Sequence, residues 1–215
     1  MGLLKLSEES SITTPAAGYV TAYPSATTSR WASMDESGNI TTYPYRLQSA
    51  SVAAVAGAYA ADTYLAGSGI TIPSAGDWSV GQTYKCAFDM TKTAAGTATF
   101  IAIVRMGTLG TVGDAAILTL TFGAGTAAID TGIFELWATF RTVGSGTSAV
   151  IAGMIECRHA LAATGLVSTG ASGLGLITGT SAGFNSTTQT VIGLSINGGA
   201  SFSGTNTLVQ ASLGK

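Results

Sequence analysis

The sequence predicts an all-β protein: an antiparallel jelly-roll-like β-sandwich preceded by a short N-terminal arm and a β-hairpin. Three observations lead there. Apolar and polar residues alternate with a period of two in several segments, which places one face of a strand inward. Clusters of Gly, Ser and Asn punctuate those segments at short intervals, and helical periodicity between them is nearly absent, which argues for a sandwich or barrel over an α/β fold. Glycine makes up 29 of 215 residues, about twice the usual share of roughly 7%, without the three-residue period of collagen.

The first element is the hairpin. Trp31-Ala-Ser-Met34 and Ile40-Thr-Thr-Tyr43 flank Asp35-Glu-Ser-Gly-Asn39, a turn-rich centre in which Gly38 is free to take positive φ. A change of composition near Pro44 then divides the chain into an arm with a small β element, 1–45, and a β-sandwich, 46–215. In the second region Tyr84, Cys86, Phe88 and Met90 alternate with Lys85, Ala87 and Asp89. Strands are also expected over 98–106 and 116–122, where Leu118, Leu120 and Phe122 share one face. Segment 133–143 alternates with bulk on both faces, so it should be central in its sheet. Segments 150–157, 188–196 and 207–213 complete the series, with Gly170 to Gly183 expected as a long glycine-rich loop.

Composition excludes several functions. Only 9% of residues are charged, where an ordinary globular chain has about a quarter, and from Ala160 to Gly214 there is no Asp, Glu, Lys or Arg at all. Much of the surface is therefore expected to be covered by other protein. No window approaches the roughly 18–20 unbroken apolar residues of a membrane-spanning helix, so membrane insertion is not expected. Lys5 followed by Glu8 and Glu9 disfavours an export signal. The net charge of −2, with basic residues scattered singly, offers no stripe for phosphate neutralisation, so nucleic acid is excluded as a partner.

Candidate chemistry is sparse. Cys157 and the single histidine, His159, face one side of a strand end two residues apart, whereas a thiolate–imidazole pair normally meets across a fold. With Cys86 they make only three soft zinc ligands and no C-x-x-C. Both cysteines are read as reduced core thiols. Asp114 and Asp130 sit at strand edges, where Asp commonly closes turns. No catalytic residue, metal ligand or cofactor site is assigned. Trp31, Trp78 and Trp137 could stack on sugar rings, with Trp78 and the Gly170 to Gly183 loop the favoured region, although such residues are more often core or interface anchors.

Parts of the chain also resemble a known group. Pro15-Ala-Ala-Gly18-Tyr-Val with the Asp35-Glu-Ser-Gly-Asn39 turn resembles the N-terminal module of tailed-bacteriophage virion proteins. Arg105-Met-Gly-Thr-Leu-Gly-Thr-Val-Gly-Asp114, Asp130-Thr-Gly-Ile-Phe-Glu135, Phe140-Arg-Thr-Val-Gly144 and Ile192-Gly-Leu-Ser-Ile-Asn-Gly198 resemble the β-rich domain that follows it. The resemblance implies a non-enzymatic homotrimer in the virion, either a capsid decoration (cement) protein or head fibre, or alternatively a tail-fibre or receptor-binding protein. Its partners would be copies of itself, the major capsid protein or another virion protein, and in the tail-fibre case a host glycan. Capsid-attachment candidates are Leu3, Leu4, Leu6, Ile12, Tyr19, Tyr23 and Trp31, residues that would equally serve to pack the arm on its own domain. Leu194 and Ile196, in the charge-free stretch, are the oligomer-interface candidates.

Overall fold

A computed structural model of the chain describes residues 13–25, 30–34, 36–37, 40–42, 47–51, 55–57, 59–93, 95–161, 165–168 and 173–214. The chain divides into two compact units, Met1–Tyr45 and Arg46–Lys215. Among the described residues all regular structure is β.

In the first unit β1 (Thr21–Ser25), β2 (Arg30–Met34) and β3 (Ile40–Thr42) form an antiparallel sheet in that order. Met34 pairs with Ile40, so the expected hairpin is present. Ala32 and Met34, two residues apart on β2, share a face, and Tyr23 lies opposite Ala32; these three form the unit's buried cluster. A turn precedes the sheet: the Tyr19 N–H donates to the Ala16 carbonyl at 3.0 Å. Gly18 is its third residue, with φ of +82°, a conformation that glycine alone adopts freely. The Gly18 N–H donates to the Glu36 carboxylate.

The second unit is the antiparallel β-sandwich expected from the sequence. Its strands are β4 (Leu47–Ser51), β5 (Val55–Gly57), β6 (Thr63–Tyr64), β7 (Ile70–Thr71), β8 (Thr83–Lys92), β9 (Thr99–Gly107), β10 (Ala115–Ala124), β11 (Asp130–Thr142), β12 (Val150–His159), β13 (Leu174–Thr180), β14 (Val191–Asn197), β15 (Gly204–Asn206) and β16 (Val209–Gly214). One sheet runs β10-β9-β14-β6, with β7 also on β14. The other runs β13-β12-β11-β8, and the far edge of β8 is shared by β16, which continues to β4, and by β15, which continues to β5. Strand β11 is central, as its two bulky faces predict. Where the chain jogs from β15 to β16, Asp89 mends the ladder. Its Oδ1 accepts the N–H groups of Thr207 at 2.8 Å and Leu208 at 2.7 Å, and its Oδ2 accepts the Thr207 hydroxyl.

The core lies between the sheets. Phe134 of β11 stacks on Phe88 at 4.9 Å and on Phe100 at 4.7 Å, and meets Phe122 edge-on at 5.8 Å. Phe88 and Phe134 come from one sheet, Phe100 and Phe122 from the other, so this aromatic cluster joins the layers.

Two expectations are corrected. The Gly170 to Gly183 region is not all loop, because it contains β13. The inward positions of β13 are Gly175, Ile177 and Gly179, and β10 packs over it. A Cβ on Gly179 would stand 3.0 Å from a methyl of Leu120, and one on Gly153 of β12 would stand 2.7 Å from a methyl of Leu118. These glycines allow the leucines of β10 to approach the opposing backbone. The second correction concerns Leu194 and Ile196, which are both 0% exposed. They face the sandwich interior, opposite Val104 and Ala102 of β9, and are core residues, not interface residues. On the other face of β14, Gly193 lies under the Tyr64 ring, whose hydroxyl would be 1.8 Å from a Cβ there.

Candidate functional site

Charged side chains are buried at both ends of the sandwich, and they organise loops. At one end Asp130 pairs with Lys92 across β11 and β8, while Gly132 pairs with His159 on β12. This register brings three polar side chains together. His159 Nδ1 lies 2.7 Å from Asp130 Oδ2, both side chains being fully buried. The carboxylate also accepts the N–H groups of Thr131 at 2.9 Å, Leu161 at 3.1 Å and Leu166 at 2.8 Å. Lys92 Nζ donates to the carbonyls of Gly96 at 3.0 Å and Gly165 at 2.9 Å, and to that of Thr126. Burial lowers the Lys92 pKa, against the raising influence of Asp130.

At the other end Asp114 accepts four backbone N–H groups, from Thr108, Leu109, Gly110 and Thr111, and so shapes the β9–β10 turn. A Cβ on Gly107 would sit 1.9 Å from Asp114 Oδ1, which restricts that position to glycine. Arg105 donates to Ser195 Oγ at 2.7 Å, to the Asp114 carbonyl at 2.5 Å and to Asp62. Both aspartates thus do the turn-closing work read from their positions.

Burial disfavours the thiolate form of both cysteines. Burial pushes the Cys86 thiol up to about 12, and burial with the charges of Asp130 and Glu156 does the same for Cys157. Both thiols are buried and free. Cys86 lies on β8 opposite Leu136 and Cys157 on β12 opposite Phe134, with β11 between them, so their backbones are more than two strand spacings, over roughly 9.6 Å, apart, beyond disulfide reach. His159 reaches Asp130 instead of serving as a base for Cys157. Among the described residues no cluster of His, Cys, Asp and Glu suits a metal ion.

The outer face of the eight-stranded sheet carries a groove of about 270 Å³. Its origin is one small residue. Ala87 on β8 lies between Glu135 of β11 and Gln210 of β16, and the next outward row is Trp137, Lys85, Ser212 and Gln48. The alanine leaves a hollow among larger neighbours, with Trp137 and Glu135 as one wall and Gln210, Ser212 and Gln48 as the other. Lys85, Gln48 and Gln210 are exposed, and Trp137 and Glu135 are half-buried. Further along, Glu135 stands directly opposite Glu156, and Arg158 forms an ion pair with Glu156.

The outer face of the five-stranded sheet differs. Its strands contain a single charged residue, Arg105, which is buried. What β9 and β10 present outward is Thr99, Ile101, Ile103, Ile117, Thr119 and Thr121, exposed or half-buried, with Leu109 and Val112 exposed in the turn joining the two strands.

The residues singled out in the sequence fall unevenly on this framework. Leu3, Leu4, Leu6 and Ile12, and the side chain of Trp31, lie outside the described residues. Tyr19 is 69% exposed, whereas Tyr23 is 8% exposed and belongs to the small core of its own unit, which removes it as an attachment contact. Trp78 is corrected as a sugar platform: it is buried, stacks on Phe140 at 5.1 Å and donates its indole N–H to the Gln189 carbonyl at 3.1 Å. Of the two tryptophans whose side chains are described, Trp137 is the one placed at a groove.

No family model matches the chain, and no curated protein matches it. A solved structure of infectious bursal disease virus, Gx strain, aligns with 86% of this chain and 46% of its own, at 9% identity and a TM-score of 0.19. The chain thus spans about half the length of the structure it matches, a likeness too loose to bear on fold or function.

Proposed function

We propose that the chain is a non-enzymatic structural protein of a tailed-phage virion, a homotrimeric capsid decoration (cement) protein that binds the capsid exterior through its N-terminal region. The observation that carries this reading is the uncharged outer face of β9 and β10. A surface of isoleucine and threonine without a solvated charge loses little on desolvation and gains from apolar burial. The low overall charge and the resemblance to phage virion proteins support the same reading, and the resemblance supplies the trimer.

The test is reconstitution. Purified protein is expected to sediment as a trimer and to add to capsids that lack it. Removing residues 1–14 is expected to abolish that addition while the trimer persists. Unchanged capsid occupancy would reject the docking role of the arm, and a monomer at all concentrations would reject the assembly. The tail-fibre alternative draws on the groove beside Trp137, and saturable adsorption of the protein to host cells, without capsid binding, would favour it.

A further inference from the structure

We infer that the groove over Ala87 is a binding site for one ring of an uncharged saccharide. The inference holds for either virion location and is independent of the trimer.

Four features point to this class of ligand. Trp137 gives a half-buried aromatic wall, and an indole face complements the C–H face of a pyranose while leaving the N–H free for a hydroxyl. Facing it, Gln48, Gln210 and Ser212 supply two amides and a hydroxyl, groups that both donate and accept, as the hydroxyls of a sugar do. Glu135 and Lys85 lie within the same lining and cancel in formal charge, so the site selects against a strongly ionic ligand. The volume of about 270 Å³ falls just below the range of about 300–1,000 Å³ for drug-sized ligands, which suits a single ring of a chain that continues out of the open groove.

The placement also favours a site over a packing defect. The hollow lies on the outer face of a well-paired sheet, so its walls are fixed by the registers of β11, β8, β16 and β4. Rigid strands hold such groups more firmly than loops do.

Saturation-transfer NMR with uncharged trisaccharides of glucose, galactose, mannose, rhamnose and N-acetylglucosamine tests the inference on the full chain. At least one trisaccharide is expected to receive transfer and to bind in the millimolar range, with chemical shifts moving at the Trp137 indole. Trp137→Ala is expected to weaken binding about tenfold, the equivalent of about 1.4 kcal/mol. Ala87→Leu fills the floor while leaving every polar group in place, and is expected to abolish binding with the fold intact by circular dichroism. Transfer to none of the five would overturn the inference, as would transfer that survives Ala87→Leu unchanged. Loss of the oligomer in Ala87→Leu, with no sugar bound by the parent, would assign the groove to a neighbouring copy and equally overturn it.

Discussion

The two outer faces of the sandwich are built on one core but are dressed differently. The eight-stranded face carries Lys85, Asp89, Glu135, Arg141, Glu156 and Arg158, together with the Trp137 groove. The β9–β10 face of the other sheet carries isoleucine and threonine, and the sheet's only charge, Arg105, is buried and bonded to Asp62 and Ser195. The lesson is that a low average charge is not spread evenly. The few charges sit where water remains, and the face free of them is the one that another protein chain can cover without desolvating an ion.

The contrast can be broken, most severely, from below. Lys92→Ala would leave three loop carbonyls without a donor and remove a positive charge from the neighbourhood of Asp130, and is expected to cost about 3 kcal/mol by denaturant unfolding. Both faces should then be lost together, since they share the core; loss of one alone would mean that the sheets are stabilised separately. A charge on the neutral face is the next test. Ile103→Glu would place a carboxylate in the proposed contact and is expected to weaken association by about 3 kcal/mol, over a hundredfold, in sedimentation equilibrium. Thr139→Glu on the opposite face is expected to leave the oligomer intact, and equal behaviour of the two variants would erase the distinction.

The smallest effect concerns Asp89. Burial raises its pKa, but the hydrogen bonds from Thr207 and Leu208 together outweigh burial and hold it below the usual carboxylate value. A carboxyl with a depressed folded-state pKa contributes stability that is present above its unfolded value and is lost as pH falls through the folded one. Asp89→Asn should therefore lower stability at neutral pH by about 1 kcal/mol and flatten the acid limb of the stability curve, which thermal melts between neutral and strongly acid pH would read.

How far the sequence reveals this molecule depends on what each residue signals. Strands β8 and β11 are legible because one face is buried in the sandwich, so Tyr84, Cys86, Phe88 and Met90 stand out against polar neighbours. Strand β13 is not, since its inward positions include Gly175 and Gly179, the second of which makes room for Leu120 and Leu118 of β10, and glycine erases the alternation a reader looks for. Strands β4 to β7 are short and largely built of Ala, Ser, Thr and Gly, with no period to detect. Leu194 and Ile196 lack nearby charges, but that fact alone does not separate a core strand from an interface strand. His159 draws the eye to Cys157, its neighbour in the chain; its true companion, Asp130, becomes visible only through the β11–β12 register. The groove is least legible of all, because its signal is the smallness of Ala87 between residues from four strands, and β16 lies more than a hundred positions along the chain.

The Asp130–Lys92 cluster also has a dynamic consequence. One carboxylate and one ammonium hold the backbone at three separate places, Gly96, Thr126, and Leu161 with Gly165 and Leu166. None of these can leave without exposing the charges that hold the others, so that end of the sandwich opens as a single unit. The amides of Thr131, Leu161 and Leu166 should share one hydrogen-exchange protection factor, set by the breaking of the cluster and not by the length or glycine content of any one loop.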